Sequence, residues 1–217
     1  MTSSRLPGKV LSRVRGKPLL QYLLERLGHC TRLGEVIVAT SAEESDAPVA
    51  RLCRELDVPA FRGPLEDVAG RFLSVLDAFP LDGFVRLSAD SPLLDQRLVD
   101  EGVRIFGEGG YDLVTNVFPR TFPSGESVEV VRSGTFRRAY PSFDAGEDRE
   151  HVTRYFYRRS REFAIRNFAS DVPLGDVHLA VDTEEDLERF RAMVGRMTRP
   201  HWEYPLGELI KIYEGLH

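Results

Sequence analysis

Leu19, Leu20, Leu23, Leu24 and Leu27 recur at the three- and four-residue spacing of a helix that opens after Pro18. The β-branched run EVIVAT (35–40) follows and predicts a short buried strand. The alternation repeats with a helix over about 46–56 (Val49, Leu52, Cys53, Leu56), a short strand at PAFRG and a helix over about 65–79 (Val68, Phe72, Val75, Leu76). A strand at GFVRLS (83–88), a helix over about 96–107 and a strand at YDLVTN (111–116) continue it. Strands alternating with helices imply right-handed crossovers, hence an α/β fold with a mostly parallel sheet and helices on both faces.

The rhythm changes after residue 116. FPRTFPSGESVEVV reads as a loop rich in Pro and Gly running into a strand, followed by helical stretches at 133–140 and 148–159. Strands at EFAIRNF (162–168) and VHLAV (177–181) precede a helix at 184–195 and an amphipathic helix near 206–214. With no linker, repeat or low-complexity tract, residues 1–217 are expected to form one domain, with a substrate-facing insertion at about 117–160.

Composition adds little except by exclusion. A hydrophobic share of 42% and a charged share of 29% are ordinary for a globular chain. No apolar run approaches the roughly 20 residues of a membrane helix, so a cytoplasmic protein without a membrane partner is expected. Cys30 and Cys53 stand apart from any metal-type spacing and read as reduced structural thiols. The net charge of -5 argues against nucleic acid as a partner.

Charge distribution says more. The first 17 residues hold Arg5, Lys9, Arg13, Arg15 and Lys17 and no acid, a cationic island that suits a small polyanion or is simply a solvated basic end. Within it, Ser3 and Ser4 offer hydroxyl donors, Gly8 lets backbone approach an anion, and Arg5 and Lys9 supply charge, the parts of a phosphate-binding loop without the Walker pattern. In VRLSADSPLLD, Asp90 follows a strand that Pro92 stops, a position suited to holding Mg²⁺ or to capping the turn. In HLAVDTEEDLERF, Thr183 and Asp186 form a capping pattern that explains the threonine and leaves Asp182 at the strand end only partly explained. Arg149, Glu150 and His151 cluster at a helix start, while His29, His178, His201 and His217 show no ligand spacing.

SSRLPGKVL with GKPLL, VRLSADSPLLD, TNVFPRTFPSG with VEV, DREHVTRYFYR and AVDTEEDLERFR occur in the order and spacing of the spore coat polysaccharide biosynthesis protein F family. That family resembles a branch of the cytidylyltransferases that make CMP-activated acidic sugars of the acylneuraminate and 3-deoxy-manno-octulosonate types. The resemblance covers nearly the whole chain. It implies a three-layer nucleotide-diphospho-sugar transferase-like fold, CTP and a sugar acid as partners with a homodimer left open, and Mg²⁺ as cofactor. Arg5 and Lys9 would hold the triphosphate together with Ser3, Ser4 and Gly8, Lys17 would assist, and Asp90 and Asp182 would bind the metal. Arg120, Glu126 and Glu129 of the 120s loop, with Arg149, Glu150 and His151, would face the sugar.

The chain departs from the family pattern in places. Ala89-Asp90-Ser91-Pro92 stands where Gly-Asp-Cys-Pro is common, and Ser124-Gly125-Glu126-Ser127-Val128-Glu129-Val130 where Asp-Gly-Leu-Asp-Val-Glu-Val is common. The family also places a buried strand before the serine-rich loop, so that strand is expected upstream of Met1. Two other readings compete: a nucleotide-sugar-dependent glycosyltransferase, which expects an Asp-x-Asp motif absent from this sequence, and an inert nucleotide-binding relative.

Overall fold

The computed structural model describes residues 6–216. Two strands, β1 (Arg13–Val14) and β2 (Lys17–Pro18), make a minimal antiparallel pair. Arg15 and Gly16 both take positive φ in its turn, as a tight hairpin of this twist requires. Helix α1 (Leu19–Leu27) leaves it directly and buries Leu19, Leu20, Leu23, Leu24 and Leu27 as the leucine spacing predicts. Strand β3 (Val38–Ser41) crosses over through α2 (Ala47–Glu55) to pair in parallel with β4 (Ala60–Gly63).

Helix α3 (Val68–Ala78) leads to β5 (Gly83–Arg86), and α4 (Gln96–Gly107) to β6 (Leu113–Thr115). Both helices are N-capped by aspartates: Asp67 accepts from Gly70 N and Asp95 from Arg97 N. Strand β7 (Glu129–Arg132) precedes α5 (Ser133–Ala139), α6 (Glu147–Glu150) and α7 (Arg154–Arg158), and β8 (Ile165–Asn167) precedes α8 (Glu184–Arg196) and α9 (Leu206–Glu214).

The larger sheet has the order β5-β7-β6-β8. Strand β7 runs antiparallel to both neighbours and β8 runs parallel to β6, so β5, β6 and β8 share one direction and β7 alone is reversed. The sheet is therefore mixed, with β3 and β4 as a separate parallel pair among the described residues. Helices pack on both faces, α4 with α1 against Val114 and Val130, and α3, α5 and α7 against Leu113 and Val131. Because β7 lies between β5 and β6, the 117–160 stretch contributes an inner strand as well as loop.

The expected strand at 177–181 is not one. Its backbone makes one isolated parallel bridge, Ser124 to His178, and takes its remaining bonds singly from separate loops. The expected helix at 148–159 is broken into α6 and α7 around His151. Cys30 and Cys53 are free, and burial pushes the Cys30 thiol up to about 12. Among the described residues no helix is long and apolar enough to cross a membrane.

Candidate active site

Strands β5, β6 and β8 end at the same edge of the sheet, the edge at which ligands bind in open α/β folds. Asp90 lies four residues beyond β5 and is tied to the far end of the chain by a main-chain bond: Val181 N donates to the Asp90 carbonyl at 2.8 Å. That bond sets Asp182 beside Asp90. The capping box of α8 holds Asp182 from the other side, since the Asp186 carboxylate accepts from Asp182 N at 3.0 Å, Thr183 N at 2.9 Å and Thr183 Oγ1 at 2.9 Å. Burial raises the Asp186 pKa, but these donors outweigh it and hold the carboxyl below its ordinary value.

Lys9 completes the cluster. Gly8, at φ 70°, turns the chain into a short 3-10 segment, Lys9–Leu11, whose first residue reaches inward. Lys9 Nζ donates to Asp90 Oδ2 and to Asp182 Oδ1, both at 2.8 Å. The lysine side chain is 10% exposed, against 28% for Asp90 and 22% for Asp182, so the carboxylates are reachable from solvent while their shared cation is shut in. Burial pushes the Lys9 ammonium down, yet hydrogen bonds and charge from Asp182 and Asp90 more than offset this and hold its pKa above the ordinary lysine value.

This trio joins three segments that the sequence separates by 81 and 173 residues. Its oxygen donors suit a hard divalent cation, and they already grip one cationic group from two sides, which is the fit test for such an ion. Among the described residues no cluster of three or more His, Cys, Asp or Glu is placed to hold a metal. His178 stands at the rim, with Nε2 3.9 Å from Asp182 Oδ2 and 3.7 Å from Asp186 Oδ2. Sequence reasoning assigned it nothing; its place four residues before Asp182 was the available signal.

Other sequence candidates lie elsewhere. Ser3, Ser4 and Arg5 fall outside the described residues. Lys17 is held by Glu25, near the end of α1, with Nζ to Oε2 at 2.7 Å; the structure places it on that helix and not on the aspartate pair. Glu126 is a second correction. It is fully buried, its Oε2 accepts from Asp95 N at 2.8 Å, and desolvation pushes its pKa up to about 8.

Glu129 is buried as well. Its Oε1 accepts from Thr153 Oγ1 at 2.7 Å and Tyr157 Oη at 2.5 Å, and its Oε2 from Arg86 at 3.0 Å, so its carboxylate is engaged inside the fold. Arg149 is drawn to Asp67 at 2.5 Å and to Tyr140 Oη at 2.9 Å, at the cap of α3. Arg120 stays exposed on its loop, bonded to Ser127 Oγ at 3.0 Å, and Glu150 and His151 are exposed at the end of α6.

The 120s loop is fixed against the site by backbone. Ser124 O accepts from Leu179 N at 2.7 Å, and Gly125, at φ 97°, comes so near that a Cβ there would lie 2.6 Å from Ala180 N. Only glycine meets both demands. A family model described as cytidylyltransferase matches residues 1–208. The chain belongs to the cytidylyltransferase family.

Relatives of this chain agree with that placement. The spore coat polysaccharide biosynthesis protein SpsF of Bacillus subtilis is 28% identical over 201 residues, covering 89% of this chain and 82% of that one. The 3-deoxy-manno-octulosonate cytidylyltransferase of Acidobacterium capsulatum is 27% identical over 225 residues, covering 85% and 89%. Among solved structures, a cytidylyltransferase from Leptospira borgpetersenii serovar Hardjo-bovis superposes with a TM-score of 0.93 at 26% identity, covering all of this chain and 91% of that one. The resemblance seen in the sequence and the α/β nucleotidyltransferase-like fold both stand.

Proposed function

We propose that this cytidylyltransferase moves CMP from CTP to a sugar acid, releasing pyrophosphate, in a divalent-metal-dependent reaction with Mg²⁺ as the working ion. The observation that carries the reading is the placement of Lys9 between Asp90 and Asp182 at the ligand-binding edge of the sheet. A sugar hydroxyl attacks the α-phosphorus in line, and the bond to the pyrophosphate oxygen breaks. Asp90 and Asp182 would hold the ion, whose chemistry when bound is to neutralise phosphate charge. Lys9 and Arg5 offer cations to the leaving phosphates, where charge grows in the transition state. Arg120 and His151, both exposed, are the candidates for the sugar's carboxylate and hydroxyls. The cytoplasm, which holds CTP, is the compartment we propose for it.

The test is pyrophosphate release with each of four nucleoside triphosphates against a panel of sugar acids. Release with CTP and one sugar acid, lost in Asp90→Asn, supports the reading. Release from a different triphosphate, or none from any pair while CTP binds, overturns it.

A further inference from the structure

We propose that Lys9 is an exchangeable cation: its ammonium fills the divalent-ion position between Asp90 and Asp182 in the free protein and vacates it when the ion arrives. The inference rests on the reading of those two carboxylates as the metal-holding pair. Three observations carry it.

The first is position. Lys9 Nζ lies 2.8 Å from one oxygen of each carboxylate, inside the pair and not beside it. An ion bridging the same two oxygens would need the space the ammonium occupies, because Mg²⁺ binds oxygen ligands at about 2.0–2.1 Å. The second is charge. One ammonium brings a single positive charge to two carboxylates, whereas a divalent ion brings two. The backbones of residues 90 and 182 are pinned by Val181 N and by Asp186, so the ammonium on its flexible stem is the mobile partner.

The third is residue choice. Only three of the chain's 29 basic residues are lysines, at positions 9, 17 and 211, so arginine is the cation this sequence ordinarily uses. Arginine's planar fork would lock onto a carboxylate, whereas lysine is a compact charge that swings and releases. A lysine kept here is consistent with one that must leave. Exchange has a consequence: the divalent ion alone binds weakly, and its arrival releases the Lys9 amine toward the phosphates.

Two measurements test this, neither of them activity. Mn²⁺ binding without nucleotide is followed by the electron paramagnetic resonance signal of the free ion, for wild type, Lys9→Met, Lys9→Gln and Asp90→Asn. Freed of its competitor, the pair in Lys9→Met or Lys9→Gln should bind Mn²⁺ about tenfold or more tighter than wild type, the scale on which neighbouring groups tune a metal site. Asp90→Asn should bind it more weakly than wild type. Mn²⁺ affinity that is unchanged or reduced in both Lys9 variants, with wild type binding measurably, overturns the exchange and leaves the metal pair standing. No Mn²⁺ binding in any variant overturns both.

The second measurement uses wild-type protein only. Acylation of Lys9 by an amine-reactive reagent, read by peptide mass spectrometry against exposed Lys211, should rise several-fold on saturation with Mg²⁺ as the shielded amine is released. Acylation of Lys9 that stays level or falls with Mg²⁺ overturns the proposal.

Discussion

Replacing Glu126 by glutamine should stabilise the protein at pH 8 and leave it nearly unchanged at pH 5. Arg26 is fully buried, donating to the carbonyls of Leu94 at 2.7 Å, Tyr204 at 3.0 Å and His201, with Asp95 at 3.8 Å as its ion partner. Glu126, equally buried, brings a second carboxyl to the same neighbourhood, and its Oε1 has no hydrogen-bond partner. Asp95 already pairs with Arg26 and with Arg97 at 3.1 Å, whereas Glu126 makes no ion pair among the described residues. The cheapest relief is for Glu126 to keep its proton, and desolvation pushes its pKa up to about 8.

The sign follows. The folded protein holds this proton between the ordinary glutamate range and pH 8, while the unfolded chain has released it, so stability falls as pH rises through that window. The full slope is about 1.4 kcal/mol per pH unit, so from pH 5.5 to 7.5 wild type should lose up to roughly 3 kcal/mol that Glu126→Gln does not lose. Against a typical total of about 5–15 kcal/mol this is measurable by urea unfolding of both proteins at four pH values. A Gln variant that is less stable than wild type at pH 8 would show Glu126 to be ionised and serving Arg26, and would sink the argument.

The remaining predictions bear on the site. Asp90→Asn and Asp182→Asn should each lower turnover about 100-fold or more in the pyrophosphate assay with circular dichroism unchanged, the scale of losing one strong electrostatic element. Gly125→Ala should cost about 1–3 kcal/mol in thermal unfolding and lower activity, because it strains a positive φ and pushes against Ala180 N, two residues from Asp182. Thr183→Val should remove a helix cap worth about 1 kcal/mol and weaken Mn²⁺ binding by loosening the backbone at Asp182; equal Mn²⁺ affinity would show the cap to be structural alone.

Much of this was readable in the sequence. Leucine spacing located α1, and the β-branched run EVIVAT and the apolar segment GFVRLS located β3 and β5 to within a few residues. Asp90 and Asp182 were singled out because each follows an apolar run, and the structure brings both to Lys9. The reversed direction of β7 was not legible, since nothing local encodes which neighbour a strand takes. Glu126, Glu129 and Arg149 were misplaced for one reason: charged residues in a loop read as exposed, and only tertiary packing revealed Asp95 N, the Tyr157 and Thr153 hydroxyls and Asp67 as their partners. The 177–181 segment has strand composition, yet its neighbours are loops, so it makes one bridge and no ladder.

The bond from Val181 N to the Asp90 carbonyl also governs when the site comes into being. A chain emerging from the ribosome carries Lys9 and Asp90 long before Asp182, and a lysine with one acid is only a surface-type pair. The second acid arrives after some four-fifths of the chain, and closure over so long a span is entropically slow. Recovery of activity on refolding should therefore lag the recovery of helix signal. The three-residue cluster is thus a late feature of synthesis, because Lys9 and Asp90 wait for Asp182 to join them.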